Sequence, residues 1–399
     1  MLYLIELVHS IQKYYMEVIG MKKETQCVHS GTYRDNATRG INTPIFTSSS
    51  FEYLDRTECL YPRYFNTPNQ NAVVKKLCAL EGAEDAVLFS SGMAAISTTI
   101  LAFAGMGDHV VMLDDLYGGT HAFATDEFQR VGIEYTFTAT DADSVREALK
   151  ENTKAVVIES PTNPLLKVID IRRVAEFAKE SDVVTIIDNT FATPINQNPI
   201  KMGIDIVVHS GTKYLGGHSD ICCGFAVTTE EKAERIRALA RHLGGSLNAI
   251  TCYLLERSLK TLAIRVQRQT ENAGRIADFL DKHPAVRCVN YPGLPGSGSH
   301  SIAGSQMEGF GAMLSFDLDE TKAKAARFVR QLRLIKPAVS LGGIETTICS
   351  PAVTSHAKIS EAERKRIGIT DSLLRLSVGI EQVEDLIADL QEALDQEEE

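Results

Sequence analysis

Between residues 86 and 227, six short apolar runs alternate with longer amphipathic stretches, and this alternation constrains the fold more than any other feature. The runs are Ala86–Phe89, His109–Leu113, Ala155–Glu159, Val183–Asp188, Asp205–His209 and Gly224–Val227. Near-continuous apolar strands separated by helices describe a buried, mostly parallel sheet. The spacing predicts helices over 92–104, 119–131, 143–150 and 170–180. A further helix is expected over 70–80, where Val73, Val74, Leu77 and Leu80 share one face and Glu81-Gly82 ends the pattern.

Outside this stretch the pattern changes. Residues 21–70 are rich in Thr, Ser, Asn, Pro and Tyr with little periodicity, which reads as an extended arm. Thr261–Lys282 reads as one long helix. Beyond it, Arg287–Tyr291, Ala312–Phe316 and Leu373–Val378 are half-alternating strands, flanked by helices near 320–332 and 383–396. A loop is expected at Pro292–Ser299, and a frayed tail at Glu397–Glu399. The expected organisation is a possible extension at 1–20, an arm at 21–70, a large α/β domain at 71–264 and a smaller α+β domain at 265–399. The 399 residues suffice for this on length alone.

Charge and cysteine content narrow the function classes. A formal net charge of −11 argues against nucleic acid or an anionic membrane as partner. The eight cysteines are scattered, without a CxxC pair or metal-ligand spacing, which reads as reduced thiols in the cytoplasm. His29, His121, His218 and His356 do not group at ligand spacing either, so no metal is expected. No apolar run reaches the roughly 18–20 residues of a membrane span. The first residues carry Glu6 and no basic region, so no signal peptide is expected. Met21-Lys-Lys reads as a second possible start, with residues 1–20 either an extension or a short amphipathic helix.

In open α/β sheets, ligands bind beyond the carboxyl ends of the strands. After Ala86–Phe89 come Ser90-Ser-Gly-Met-Ala-Ala, small residues opening a helix, where backbone N–H groups can meet an anion. Asp188 closes an apolar strand, and a carboxylate there is costly unless paired. It could face a protonated ring nitrogen or an arginine, or simply cap a helix. Lys213 lies four residues past the run ending at His209, between Thr212 and Tyr214. Desolvated there, it would lose proton affinity and become a nucleophilic amine, with Ser210 and Thr212 as hydroxyl donors. Arg375 in the apolar run Leu373–Val378 is either an anion receptor or half of a salt bridge. A reactive lysine, an aspartate 25 residues upstream and an anion cradle are the set that pyridoxal 5′-phosphate requires.

Long strings in the chain then point to one family. Ser210-Gly-Thr-Lys-Tyr-Leu-Gly-Gly-His-Ser-Asp220 resembles the cofactor-lysine motif of the trans-sulfuration, or cysteine/methionine metabolism, enzymes. So do Ser91-Gly-Met-Ala-Ala, Asp115-Leu-Tyr-Gly-Gly-Thr, Glu159-Ser-Pro-Thr-Asn-Pro and Val339-Ser-Leu-Gly-Gly-Ile-Glu-Thr, in family order from about residue 22 to 396. The resemblance implies the α/β pyridoxal-phosphate fold type I, aspartate-aminotransferase-like. It implies that Lys213 carries the cofactor covalently and that Asp188 holds the ring-nitrogen proton. Gly92, Met93, Ser210 and Thr212 would bind the phosphate, Tyr117 would stack on the ring and Asn163 would face its phenolic oxygen. Arg375 would receive the substrate carboxylate, and Ser340 would position the lysine or the substrate. Tyr61 and Arg63 would reach the phosphate of a neighbouring subunit, in a homotetramer built from dimers with shared sites. The family's usual Ser-Gly-Asn-Pro-Thr-Arg segment is replaced here by Tyr64-Phe-Asn-Thr-Pro-Asn, at the mouth of the site.

The resulting expectation is a carbon–sulfur lyase acting on cystathionine or a related sulfur amino acid, with β-elimination preferred. Two positions motivate the preference. Val339 stands where γ-lyases and γ-synthases often carry Glu, and Gly119 where methionine γ-lyases often carry Cys. Cystathionine γ-lyase, cystathionine γ-synthase, methionine γ-lyase and O-acylhomoserine sulfhydrylase remain alternatives. An aminotransferase and a non-catalytic cofactor-binding protein stand further off.

Overall fold

The computed structural model describes residues 20–319, 324–355, 357 and 361–395. His356, residues 1–19, and the tail read at Glu397–Glu399 lie outside the described residues, as does part of the helix expected near 320–332.

Seven strands form the larger sheet: β1 (Asp85–Phe89), β2 (His109–Leu113), β3 (Glu134–Thr138), β4 (Thr153–Glu159), β5 (Val184–Asp188), β6 (Ile206–Ser210) and β7 (Gly224–Thr228). Their order is β1-β7-β6-β5-β4-β2-β3. Only β7 runs against the others, pairing antiparallel with both β1 and β6. The carboxyl ends of the other six strands therefore meet at one edge. Apolar side chains of this sheet are almost wholly buried (Val87, Val111, Ile186 and Val207 are each 0% exposed). Each such side chain stabilises the fold by about 1.5–3 kcal/mol. β3 was not anticipated. It is the sheet's edge strand, and its exposed Glu134 and half-buried residues interrupt the apolar run.

The helices follow the expected spacing, with several additions. Pro68–Glu81 starts with Pro68 at its first position, Gln70 Oε1 accepts from Thr67 N (3.0 Å), and the helix ends at Gly82 with φ +76°. Glu230–Leu243 and Ala249–Leu259 were not expected, although Thr229 and Asn248 cap them by accepting from Lys232 N and Thr251 N. The arm is largely irregular but begins with a helix, Lys23–His29.

The smaller sheet holds β8 (Val286–Asn290), β9 (Met313–Leu318), β10 (Lys336–Pro337), β11 (Thr347–Cys349) and β12 (Leu373–Ser377), in the order β10-β11-β12-β9-β8. β12 is its centre, paired antiparallel with β9 and β11. The helix Leu262–Asp281 crosses the expected boundary at 264/265. One apolar core runs from Leu77 and Phe225 through Leu262 and Val266 to Phe316 and Leu374, so the two sheets share buried surface.

Candidate active site

Most of the candidate groups lie at the edge where the strands end. Asp188 closes β5, and its Oδ1 accepts from Thr190 N (3.0 Å). The Thr190 hydroxyl in turn accepts from Ser210 N at the end of β6 (2.8 Å), tying the two strand ends together. Burial raises the Asp188 carboxyl above the usual range, while the Thr190 contacts, His209 and Lys213 act the other way.

Lys213 sits in the tight turn after β6, closed by Gly216 N to Gly211 O (2.8 Å) and Gly217 N to Lys213 O (2.7 Å). Its Nζ donates to Ser340 Oγ across from the smaller domain (2.7 Å). Burial and then the Arg375 guanidinium pull the amine down from its ordinary value to about 8. Among the described residues no carboxylate forms an ion pair with it. An amine in this state is partly neutral near pH 7 and nucleophilic.

Arg375 lies in the middle of β12 and is buried. Its Nη1 donates to Asn163 Oδ1 (2.8 Å) and its Nη2 to Ser340 O (3.2 Å), while its buried Nε has no partner. A guanidinium that meets only neutral oxygens and keeps a buried donor free is suited to receive a carboxylate. Ser340 thus touches both cations, with its hydroxyl on one and its carbonyl on the other.

The anion cradle is built by close packing. The helix Gly92–Phe103 starts after Ser91, whose side chain accepts from Ala94 N. The first N–H groups of a helix lack intrahelical partners. A Cβ on Gly92 would lie 2.7 Å from the Ser210 Cβ, so only glycine lets this helix start approach the end of β6. Met93 and Ser210 are half-buried beside it. Thr212 behaves differently: its hydroxyl donates to Cys223 O (3.1 Å) and accepts from Cys223 N (3.0 Å).

Tyr117 precedes the helix Gly118–Phe123 and is 42% exposed. Its N–H donates to Glu159 Oε2 (2.9 Å). Glu159 received no role from the sequence, although it closes β4 as Asp188 closes β5, and the two are register partners. Burial and the neighbouring Asp188 push its carboxyl well above the ordinary value. A second missed pair lies behind the lysine turn. His209 Nε2 meets Glu81 Oε1 at 2.6 Å, both fully buried. Nothing in the helical pattern around Glu81 marks it as an interior residue.

Tyr61 and Arg63 are exposed and stand apart from this constellation. Arg63 donates to Arg241 O (2.7 Å) and stacks over the Tyr61 and Tyr64 rings. No hydrogen bond or ion pair joins either residue to Lys213, Asp188 or Arg375 among the described residues. No His/Cys/Asp/Glu group that could hold a metal occurs among them either.

A desolvated amine, a carboxyl at a strand end, a helix start pressed against Ser210 and a buried guanidinium with a free donor fit pyridoxal phosphate and an amino-acid substrate. Comparison with known proteins agrees. The family model for Cys/Met metabolism PLP-dependent enzymes matches residues 24–395. The chain is 43% identical over 380 residues to a cystathionine gamma-lyase of Bacillus subtilis, covering 94% of this chain and 100% of that one. It is likewise 43% identical over 383 residues to a cystathionine beta-lyase of Coxiella burnetii, with 93% and 97% covered. The crystal structure of a cystathionine gamma-lyase from Lactobacillus plantarum superposes with a TM-score of 0.90 at 40% identity, over 94% of this chain and 98% of that one. The chain therefore belongs to the pyridoxal-phosphate-dependent enzymes of cysteine and methionine metabolism.

Proposed function

We propose that the protein is a carbon–sulfur lyase that cleaves cystathionine or a related thioether amino acid by elimination, with β-elimination preferred over γ. The observation that carries this reading is the hydrogen-bonded path Lys213–Ser340–Arg375–Asn163, which sets a reactive amine and a carboxylate receptor side by side. When bound, pyridoxal phosphate supplies a ring that withdraws electrons from the substrate Cα.

In this reading Lys213 would hold the cofactor, and its free amine would take the proton from the substrate Cα as general base. Asp188 would hold the proton on the ring nitrogen. The Gly92 and Met93 N–H groups and Ser210 hold the phosphate. Thr212 joins them only if its hydroxyl proton leaves Cys223 O. Tyr117 would stack on the ring, and Asn163 would face its phenolic oxygen. Arg375 clamps the carboxylate and so fixes which Cα bond faces the ring, while Ser340 orients the lysine. Positioning of this kind contributes several kcal/mol, below the ~7–11 kcal/mol ceiling for proximity effects. A β-thiolate then leaves directly, whereas a γ-leaving group needs a second proton moved at Cβ. The loop bearing Ser340 offers an apolar, 73% exposed Val339 in place of a carboxylate, and this supports the β preference.

The arm supports a homo-oligomer. Ile41, Tyr53 and Leu54, on the same arm as Tyr61 and Arg63, are 89%, 71% and 72% exposed. A second copy would cover them and receive Tyr61 and Arg63 at its phosphate, with dimers pairing into a tetramer. Eight free cysteines support a reducing cytoplasm. Among the described residues no helix is long and apolar enough to cross a membrane.

Product analysis with cystathionine is the test. Pyruvate, ammonia and homocysteine are expected. 2-Oxobutyrate with cysteine would reassign the reaction to γ-elimination, and an oxoacid without ammonia would indicate an aminotransferase. A cofactor that cannot be trapped on the protein by hydride reduction would overturn the enzyme reading.

A further inference from the structure

The helix Leu262–Asp281 carries a polar stripe beneath the active site. Arg265, Gln269 and Asn272 fall at i, i+4 and i+7, hence on one face. They are 5%, 0% and 1% exposed. A buried polar stripe on a helix that packs an apolar core is costly and needs partners.

The partners are almost all backbone carbonyls of the segments that bear the site. Arg265 donates to Tyr214 O (2.7 Å) and Leu215 O (3.5 Å), the two residues after Lys213, and to Ser258 O (3.0 Å) and Thr261 Oγ1 (3.3 Å). Gln269 Nε2 donates to Gly343 O (2.7 Å), three residues past Ser340, and to Val378 O (3.1 Å), three past Arg375. Asn272 Nδ2 donates to Gly379 O (3.0 Å) and Glu381 O (2.9 Å). Arg265 forms no ion pair among the described residues. Seven residues of helix span about 10 Å, so one rigid rod holds three chain segments at fixed intervals.

The packing leaves these segments little play. A Cβ on Gly217 would lie 2.0 Å from Arg265 Nη1, and one on Gly342 would lie 2.6 Å from Tyr214 N. We propose that Arg265, Gln269 and Asn272 are positioning residues that set the span between the amine at 213 and the guanidinium at 375. The stripe thereby determines how well a ligand that must engage both groups fits. This rests on the roles proposed above for Lys213 and Arg375.

The test uses the cofactor-loaded protein and two probes that differ only in a carboxylate. L-Alanine must reach both Lys213 and Arg375, whereas ethylamine engages the lysine site alone. Binding of each is read from the change in cofactor absorbance. Gln269→Leu is expected to weaken L-alanine about tenfold, the scale of a lost buried hydrogen-bond pair, and to leave ethylamine within about twofold. Gln269→His, which restores an N–H donor, is expected to recover most of the loss. Asn272→Ser provides the same comparison if Gln269→Leu fails to fold. Equal weakening of both probes, or no weakening of either, would overturn the proposal. A wild-type protein whose cofactor absorbance responds to neither probe would instead sink the enzyme reading, and the stripe's role with it.

Discussion

Lys213 and Arg375 are two cations bridged by Ser340, and the sheets that carry them differ in kind. Lys213, itself half-buried, lies in a turn beyond the buried strand β6, which pairs parallel with β5 and antiparallel with β7, and its Nζ meets the Ser340 hydroxyl. Arg375 lies inside an antiparallel strand, between register partners Ser315 and Cys349, with one Nη on the Ser340 carbonyl. Neither has a carboxylate partner among the described residues. Burial acts on the amine of Lys213, and a desolvated amine gives up its proton far more readily than a guanidinium. Burial and the Arg375 charge bring Lys213 down to about 8. In the proposed reading, the same absence of a counter-ion leaves a nucleophile and base at one position and a carboxylate receptor at the other.

Exchanging the two chemistries breaks the comparison. Lys213→Arg keeps the charge and removes the nucleophile. It is expected to abolish hydride-trappable cofactor and to lower kcat/KM by at least about a thousandfold, measured with cystathionine. Arg375→Lys keeps the charge and removes the two-pronged fork. It is expected to lower kcat/KM about a hundredfold, mainly through KM, since hydrogen bonds to charged groups contribute about 1.5–3 kcal/mol each. Retained cofactor in this variant would separate the receptor from the anchor. Gly342→Ala presses on the seam between them. Its φ of +78° already costs a side chain about 1–2 kcal/mol, and the new Cβ would meet Tyr214 N and the Lys213 carbonyl carbon. KM is expected to rise about tenfold, with melting lowered by about 2–4 °C or more. Gly298→Ala, with open space around it, is the control and should change neither.

The two regions were also unequally legible. Six of the larger sheet's seven strands announce themselves as apolar runs, and Asp188 and Lys213 stand out because the first closes such a run and the second lies four residues past one. Arg375 stands out by the same contrast. Glu159 obeys the rule as well, but its importance comes from lying beside Asp188 in the register, which no single run reveals. β10 and β11 are two and three residues long, too short for any periodicity. The helix Lys23–His29 is held by tertiary contact, the buried Lys76 Nζ donating to Cys27 O (2.9 Å), and its own sequence carries no apolar stripe. Arg265, Gln269 and Asn272 are the least legible, because polar residues at helical spacing ordinarily mark a solvated face.

The electrostatic link between the two cations can be measured directly, and it is the smallest effect. In the proposed reading, capture of pyridoxal phosphate by the cofactor-free protein requires a neutral amine at 213. With that amine near 8, the capture rate is expected to rise about tenfold per pH unit below pH 8 and to level above it. Arg375→Gln removes a positive neighbour that favours the neutral form. The Lys213 value therefore moves up, the midpoint of the profile shifts to higher pH, and capture at pH 7 slows. Because burial is the larger cause, the midpoint should still stay below the ordinary lysine value of 10.5. The aldehyde's own titration is common to both proteins and cancels in their ratio. An unshifted midpoint in Arg375→Gln would mean that Ser340 joins the two groups geometrically and that their charges act independently.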